Sequence, residues 1–141
     1  MATTPTSYRI DQGLKERLAS QAAAEGLTER AMLERLVAEG LDTLAHPGIV
    51  YRNGPTGRRA ALAVGPDVWE VVSALRHTEG SPEQRVSILV EQFDLHPRHI
   101  RTAIDYAAVH GEEITAQVTA NDRAAEGAQR LARERADLLA S

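Results

Sequence analysis

The sequence predicts a mainly α-helical protein with two small β elements, and three observations favour this fold class. Apolar residues make up 43% of the chain but aromatic residues only 4%, which suits helices built on alanine and leucine. Apolar residues recur at helical spacing after a series of helix-start signals, which are Asp11, Thr28, Asp67, Ser81 and His96. Strand patterns occur at residues 6–11 and in the stretch between His46 and Gly65.

Residues 6–11, TSYRID, alternate like a half-buried strand that has no partner nearby in the sequence. Tyr8 and Ile10 share one face, and Ser7 and Arg9 share the other. A single strand leaves both of its edges unpaired and has no independent stability. The simplest partner is the same strand of a second chain. We therefore expect a homodimer, and whether dimers pair further into tetramers is left open.

Two helices are predicted after this strand. The first begins after Asp11 and ends at Gly26, with Leu14, Leu18 and Ala22 at four-residue spacing. Thr28 caps the second, which ends at His46-Pro47-Gly48. Its broad apolar face is formed by Met32, Leu33, Leu36, Val37, Leu41 and Leu44.

The segments TSYRIDQGLKERL and EGLTERAMLERLVAEGL resemble the ribbon-helix-helix repressors of the Arc and CopG type, over residues 6–45. The resemblance implies an antiparallel β-ribbon, formed by two chains, that enters the DNA major groove. Ser7 and Arg9 would then face the DNA, while Tyr8 and Ile10 pack on the helices. Backbone N–H groups around Thr28 would contact a phosphate. In the alternative interpretation, the ribbon serves only to dimerise the chain.

The stretch IVYRNGPTGRRAALA predicts a β-hairpin, because Asn53-Gly54-Pro55 is a turn signal between two short strand patterns. Arg52, Arg58 and Arg59 would lie near its tip or along one edge. These side chains could grip a phosphate backbone. Equally, exposed hairpins are often basic only because charge keeps their edges soluble.

Three more helices are predicted, starting at Pro66-Asp67, at Ser81-Pro82 and at His96-Pro97. The last two are joined by a short turn and match a helix-turn-helix motif, whose second helix would lie in the major groove. The exposed face of that helix would carry Arg98, Arg101 and Thr102, which suit contacts to bases and phosphates. Helical hairpins with exposed arginines are also common in proteins that never bind DNA.

A second resemblance covers residues 47–114, through GIVYRNGPTGRRAALAVGPDVWEVVSAL and SPEQRVSILVEQFDLHPRHIRTAIDYAAVH. These segments are similar to a family catalogued as a domain of unknown function that occurs in antitoxins. The resemblance implies a helix-turn-helix and a toxin encoded beside it, often a PIN-domain ribonuclease, as in VapB and VapC pairs.

The C-terminal residues are rich in Ala, Glu and Arg and predict a frayed or isolated helix. Antitoxins of the resembling kind wrap such a tail around the toxin and order it on contact. Leu131, Arg135 and Leu138 share one face, and Arg135 would enter the acidic groove of the toxin and replace its metal ion. The alternative is a weakly amphipathic helix that packs on its own dimer.

Several classes of function receive no support from the sequence. The chain has no cysteine, no glycine-rich nucleotide motif and no nucleophile elbow, and its five histidines lie mostly at predicted helix ends. We therefore expect no catalytic residues, no cofactor and no metal. No apolar run is long enough to span a bilayer, so we expect a cytoplasmic protein without membrane contact. The net charge of −4 argues against nonspecific coating of nucleic acid.

The predicted organisation therefore has four parts. They are a ribbon-helix-helix unit with an intermolecular two-stranded β-ribbon (6–45), a β-hairpin connector (46–65), a helix-turn-helix domain (66–114) and a C-terminal helical, toxin-binding tail (115–141). The expected function is that of an antitoxin that represses its own operon by binding operator DNA and neutralises a cognate toxin. The alternatives are a stand-alone transcriptional regulator, or an oligomerisation module that does not bind DNA.

Overall fold

The computed structural model of the chain describes residues 2–55 and 57–141. It confirms a mainly helical fold with one small antiparallel sheet. In chain order, the elements are α1 (Gln12–Ala24), α2 (Glu29–Ala45), β1 (Ile49–Gly54), β2 (Gly57–Leu62), α3 (Val68–Arg76), α4 (Pro82–Phe93), α5 (Pro97–Val109) and α6 (Gly111–Ala140). No helix in the described part of the chain combines the length and the apolar character needed to cross a membrane.

The chain divides into two compact units, of which the first ends at Asp42 and the second runs from Thr43 to Ser141. The predicted boundary between residues 45 and 46 lies close to this division. The hairpin, the helix-turn-helix segment and the tail, predicted as three separate parts, belong to the same second unit.

The first unit contains α1 and most of α2, preceded by an N-terminal segment. Asp11 caps α1, because its carboxylate accepts a hydrogen bond of 3.0 Å from the Leu14 N–H. Gly26 follows α1 with a φ of 68°, a left-handed conformation that glycine adopts without strain. Residues 2–10 are exposed and form no regular secondary structure. The strand predicted for residues 6–11 is thus absent from the described part of a single chain.

The second unit is built on the predicted hairpin, which the structure confirms. Its strands pair antiparallel from Ile49 opposite Leu62 to Gly54 opposite Gly57. Ile49, Ala60 and Leu62 are fully buried in the core of the unit. The hairpin is therefore part of the hydrophobic core as well as a link between helices.

The helices α3, α4 and α5 begin where the sequence predicts. Their N-caps are Asp67, Ser81 and His96, and Pro82 and Pro97 occupy the first turns of α4 and α5. A three-residue turn joins α4 to α5 and starts at Asp94, whose φ of 53° is left-handed. The core beneath them is formed by Val68, Val71, Leu89, Ile100, Ala103 and Tyr106.

The C-terminal helix α6 is continuous over 30 residues, and its first turns belong to the core of the second unit. Ile114 and Val118 are buried there. After Ala120 nearly every residue is exposed. The prediction of a helical tail is confirmed, but this helix begins before residue 115 and is anchored by its own N-terminal turns.

Candidate functional site

In the N-terminal segment, residues 6–10 of the predicted ribbon are open to solvent. Ser7 and Arg9, the two predicted DNA contacts, are exposed. Tyr8 and Ile10 were expected to pack on the helices, yet they are 82% and 46% exposed. A single chain therefore leaves the apolar side of this segment largely uncovered.

An apolar groove of about 960 Å³ runs along the first unit beside this segment. It is lined mainly by Ile10, Leu14, Leu18, Leu33, Leu36 and Val37. Of the broad apolar face predicted for α2, only Met32 is buried, whereas Leu41 and Leu44 are exposed along with the groove residues. Contiguous apolar surface of this kind is typical of a protein interface.

Thr28 caps α2 and so has a role within the chain. Its hydroxyl accepts a hydrogen bond of 3.1 Å from the Ala31 N–H. The carboxylate of Glu29 in the first turn forms an ion pair with Lys15. Any phosphate contact at this helix end would consequently rely on backbone N–H groups next to an anion that Lys15 neutralises in part.

Two of the three hairpin arginines bind the segment that leads into α3. Arg52 donates to the backbone carbonyls of Gly65 and Leu62, at 2.9 and 3.0 Å. The Arg59 Nε lies 3.0 Å from a carboxylate oxygen of Asp67, a residue that is only 8% exposed. These contacts hold the hairpin against α3 and leave less of either guanidinium for an external phosphate.

Asp67 was predicted only as a helix start, but it is also the centre of several side-chain contacts. One of its oxygens also accepts a hydrogen bond of 3.1 Å from the Trp69 indole. Its own N–H donates to the Glu70 carboxylate at 2.7 Å. An N-cap aspartate near two arginines was the available signal, but the pairing depends on the fold of the hairpin.

Arg58 lies at the end of the hairpin opposite Asn53. The two residues are cross-strand partners, and an Arg58 Nη atom donates to the Asn53 side chain at 3.1 Å. This contact orients the guanidinium beside the turn, where the sequence analysis expects it.

Two of the three predicted contacts on α5 face solvent. Arg98 and Arg101 are exposed, one turn apart on the N-terminal half of the helix. Thr102 is half-buried, and its hydroxyl donates to the Arg98 carbonyl at 2.9 Å. The helix thus presents a pair of arginines, while the threonine hydroxyl is engaged by the helix backbone.

Tyr106 is the centre of a buried polar cluster that the sequence analysis did not identify. Its hydroxyl lies 3.0 Å from that of Tyr51 and donates to Glu113 at 3.1 Å. The ring stacks on His110 with centroids 4.2 Å apart, and the ring of His46 approaches edge-on at 5.3 Å. Burial first, and then the hydrogen bond with Tyr51, raises the pKa of the Tyr106 hydroxyl far above its usual value.

The predicted toxin-binding residues lie in the exposed part of α6. Leu131 and Leu138 are 46% and 75% exposed, and Arg135 between them is also exposed. Their spacing places all three on one helix face. This face combines two leucines with an arginine and is uncovered in the single chain.

Among the described residues, no group of three histidine or carboxylate side chains is arranged to hold a metal ion. No protein-family model matches the chain, and no match was found among curated proteins or among solved structures.

Proposed function

We propose that this chain is the antitoxin of a toxin–antitoxin pair, which represses its own operon as a dimer and neutralises a PIN-type ribonuclease through its C-terminal helix. The observation that carries the proposal is in the first unit, where a segment without regular secondary structure, with Ser7 and Arg9 exposed, adjoins an uncovered apolar groove. A ribbon shared by two chains would pair the backbone of that segment and cover apolar surface at the same time.

We assign recognition of the DNA sequence first to this ribbon. Alternate side chains of a two-stranded ribbon project into the major groove, so Ser7 and Arg9 of each chain would meet base edges. Arg98 and Arg101 on α5 form a second candidate surface, because both are exposed at the start of a helix that follows a short turn. Arg58, at the end of the hairpin, would add a phosphate contact.

Toxin binding is assigned to the exposed part of α6. Leu131 and Leu138 would enter an apolar groove of the toxin, while Arg135 reaches the acidic residues that otherwise bind its metal ion. Helix-in-groove binding of this type uses anchors at helical spacing, which these three residues have.

The DNA assignment is tested by fluorescence anisotropy on the DNA upstream of the gene, against scrambled DNA and across a salt series. Arg9→Ala and Arg101→Ala are compared with wild type, and Arg130→Ala, an exposed arginine of α6, is the matched control. Replacement of an arginine that contacts base edges should reduce the discrimination between the two DNAs by about 1–3 kcal/mol. The affinity of the wild type should fall steeply as the salt concentration rises. Failure of the wild type to bind at low salt would overturn the DNA assignment.

The toxin assignment is tested separately by co-expression with the neighbouring nuclease gene product. Arg135→Ala should abolish rescue of growth while DNA binding stays at the wild-type level. Arg133→Ala, two residues away and also exposed, should rescue fully. If Arg135→Ala rescues as well as Arg133→Ala, then Arg135 does not reach the toxin site.

A second candidate function is oligomerisation without DNA binding, and two observations favour it. The net charge is −4, and Arg52 and Arg59 are engaged within the chain. An oligomerisation module would form the same dimer but would show no salt-dependent binding to either DNA. A third candidate, a regulator without a toxin, would bind operator DNA and lack a nuclease gene beside it.

A further inference from the structure

The N-cap of α5 is an imidazole, whereas most helices are capped by a side-chain oxygen. The Nδ1 atom of His96, an exposed residue, accepts a hydrogen bond of 3.1 Å from the Arg98 N–H. By comparison, Asp11 and Ser81 use side-chain oxygens to cap α1 and α4. An imidazole nitrogen accepts a hydrogen bond only while it carries no proton, so neutral His96 must hold its single proton on Nε2. The cap of α5 therefore depends on the protonation state of one side chain.

Protonation of His96 would replace this acceptor by a donor. The Nδ1–H of the imidazolium would face the Arg98 N–H, and the hydrogen bond between the two residues would be lost. Histidine is the side chain whose charge ordinarily changes between about pH 5 and pH 8. The hydroxyl of Ser81 keeps its lone pairs over the same range. Mild acid would thus remove the cap of α5 and leave that of α4 in place.

The charges around the start of α5 act in the same direction. The positive end of the helix dipole lies at the N-terminus, where an added cation is unfavourable. The first turn of α5 contains no acidic residue and already carries Arg98, and Arg101 follows in the next turn. The His99 ring lies 6.4 Å from that of His96, and its Nε2 accepts from the Arg98 Nε at 3.5 Å. Protonation of both histidines would place four cations within residues 96–101.

No ion pair with a carboxylate offsets these charges among the described residues. Asp94, in the turn before His96, is not within ion-pair distance of either imidazole. Neither histidine pairs with an acidic side chain of α3, α4, β2 or α6, the elements that pack against α5. The contribution of the cap to stability is therefore present when His96 is neutral and is lost as the pH falls through the histidine range.

We propose that His96 is a pH-sensitive cap, which orders the first turn of α5 when the imidazole is neutral and releases that turn when the imidazole is protonated. Because the first turn contains Arg98, the surface formed by Arg98 and Arg101 is best ordered near neutral pH. The effect of this ordering on DNA binding rests on the proposed function. The cap itself does not, and it is measured without DNA.

The full-length protein is unfolded with urea at about pH 8 and at about pH 5. Fluorescence of Trp69, the only tryptophan, reports on the second unit. At each pH, the folding equilibrium constant of His96→Ala is compared with that of the wild type, so that contributions from distant titrating groups cancel in the ratio. The wild type should be favoured about fivefold at the higher pH, as is usual for a helix cap. This advantage should vanish at the lower pH.

Two further variants separate capping from other effects of pH. His96→Asn supplies an amide oxygen that accepts at both pH values, so it should match the wild type at the higher pH and exceed it about fivefold at the lower pH. His77→Ala is the control, because the exposed His77 ends α3, where a positive charge is favourable. The advantage of the wild type over His77→Ala should not decrease at the lower pH.

Proton–nitrogen correlation spectra of the imidazoles at the higher pH identify the tautomer directly, and the Nε2–H form is expected for His96. The Nδ1–H form would overturn the proposal. An equal advantage of the wild type over His96→Ala at both pH values would also overturn it, because the cap would then be independent of protonation. The same holds if His96→Asn loses as much stability as His96→Ala, since the imidazole would then not act as a cap.

Discussion

At the scale of single residues, two buried polar side chains organise the second unit. Asp67 joins the hairpin arginine Arg59 to Trp69 of α3, and Tyr106 joins β1 to the start of α6 through Tyr51 and Glu113. Each satisfies hydrogen bonds between elements that are distant in the sequence. Groups of this kind add directional contacts to a core whose apolar packing is not directional.

Replacement of Asp67 by alanine should destabilise the chain by about 3 kcal/mol, because it leaves the half-buried Arg59 guanidinium without its carboxylate partner and removes the side chain of the N-cap residue of α3. Urea unfolding followed by Trp69 fluorescence measures the change. Asp105→Ala, at an exposed position on α5, is the control and should change stability by less than about 0.5 kcal/mol. Similar values for the two variants would show that Asp67 has no special role.

Because of Tyr106, the free energy of unfolding should depend on pH in the alkaline range. Its pKa is raised in the folded state, so its contribution is complete below the unfolded value of about 10 and is lost as pH rises above it. The free energy of unfolding should fall by about 1.4 kcal/mol per pH unit in that range from this residue alone. Urea unfolding at a series of pH values should show a shallower fall for Tyr106→Phe. Tyr8→Phe, at an exposed position, should follow the wild type, and parallel curves for all three would contradict the assignment.

At the scale of elements, the sequence predicted what local chemistry determines. Helix starts at Asp67, Ser81 and His96 were predicted correctly because capping side chains and prolines act within one turn. The hairpin was predicted because a turn signal separates two strand patterns. By contrast, the Asp67 and Tyr106 clusters join residues far apart in sequence, and no local pattern encodes such contacts.

The N-terminal strand illustrates the same limit. Residues 6–11 alternate correctly for a strand, but a strand needs a partner, and none of residues 2–42 supplies one within a single chain. The exposed Tyr8 and the apolar groove are what a shared ribbon would cover. The alternation in the sequence and the absence of a strand in the described chain are therefore compatible.

The length of α6 is not needed for the fold of the second unit. Its last buried residue is Val118, so removal of residues 123–141 should change the free energy of unfolding by less than about 0.5 kcal/mol. The same truncation should abolish toxin neutralisation if α6 binds the toxin as proposed. Removal of residues 115–141, which takes away Val118, should instead destabilise the unit strongly. Urea unfolding of the two truncated chains measures both, and equal stability would show that Val118 is not part of the core.

At the scale of the whole molecule, the two units differ in how well they cover their own apolar surface. The second unit has a buried core that includes Ile49, Leu62, Leu89 and Ile100. Among the described residues of the first unit, only Ala22 and Met32 are buried, and most of the leucines are exposed. The first unit would therefore bury more of its uncovered apolar side chains by binding a partner.

We therefore predict a dimer in solution that depends on the groove of the first unit. Sedimentation equilibrium should give twice the monomer mass for the wild type, and Leu36→Asp should shift the equilibrium toward monomer by at least about a hundredfold, because an anion would enter the apolar interface. Leu139→Asp on α6, where the leucine is also exposed, should leave the dimer intact. Equal dissociation of both variants, or a monomeric wild type, would rule out this interface.

The exposed part of α6 also bears on how long the protein survives among proteases. From residue 119 to Ala140 it extends for roughly 33 Å, at 1.5 Å per residue, and carries arginines that trypsin-like enzymes recognise. Unwinding this stretch exposes no core, so cleavage there does not require global unfolding. The lifetime of the intact chain is consequently decoupled from the stability of its folded units, and it would be extended by whatever partner occupies the helix.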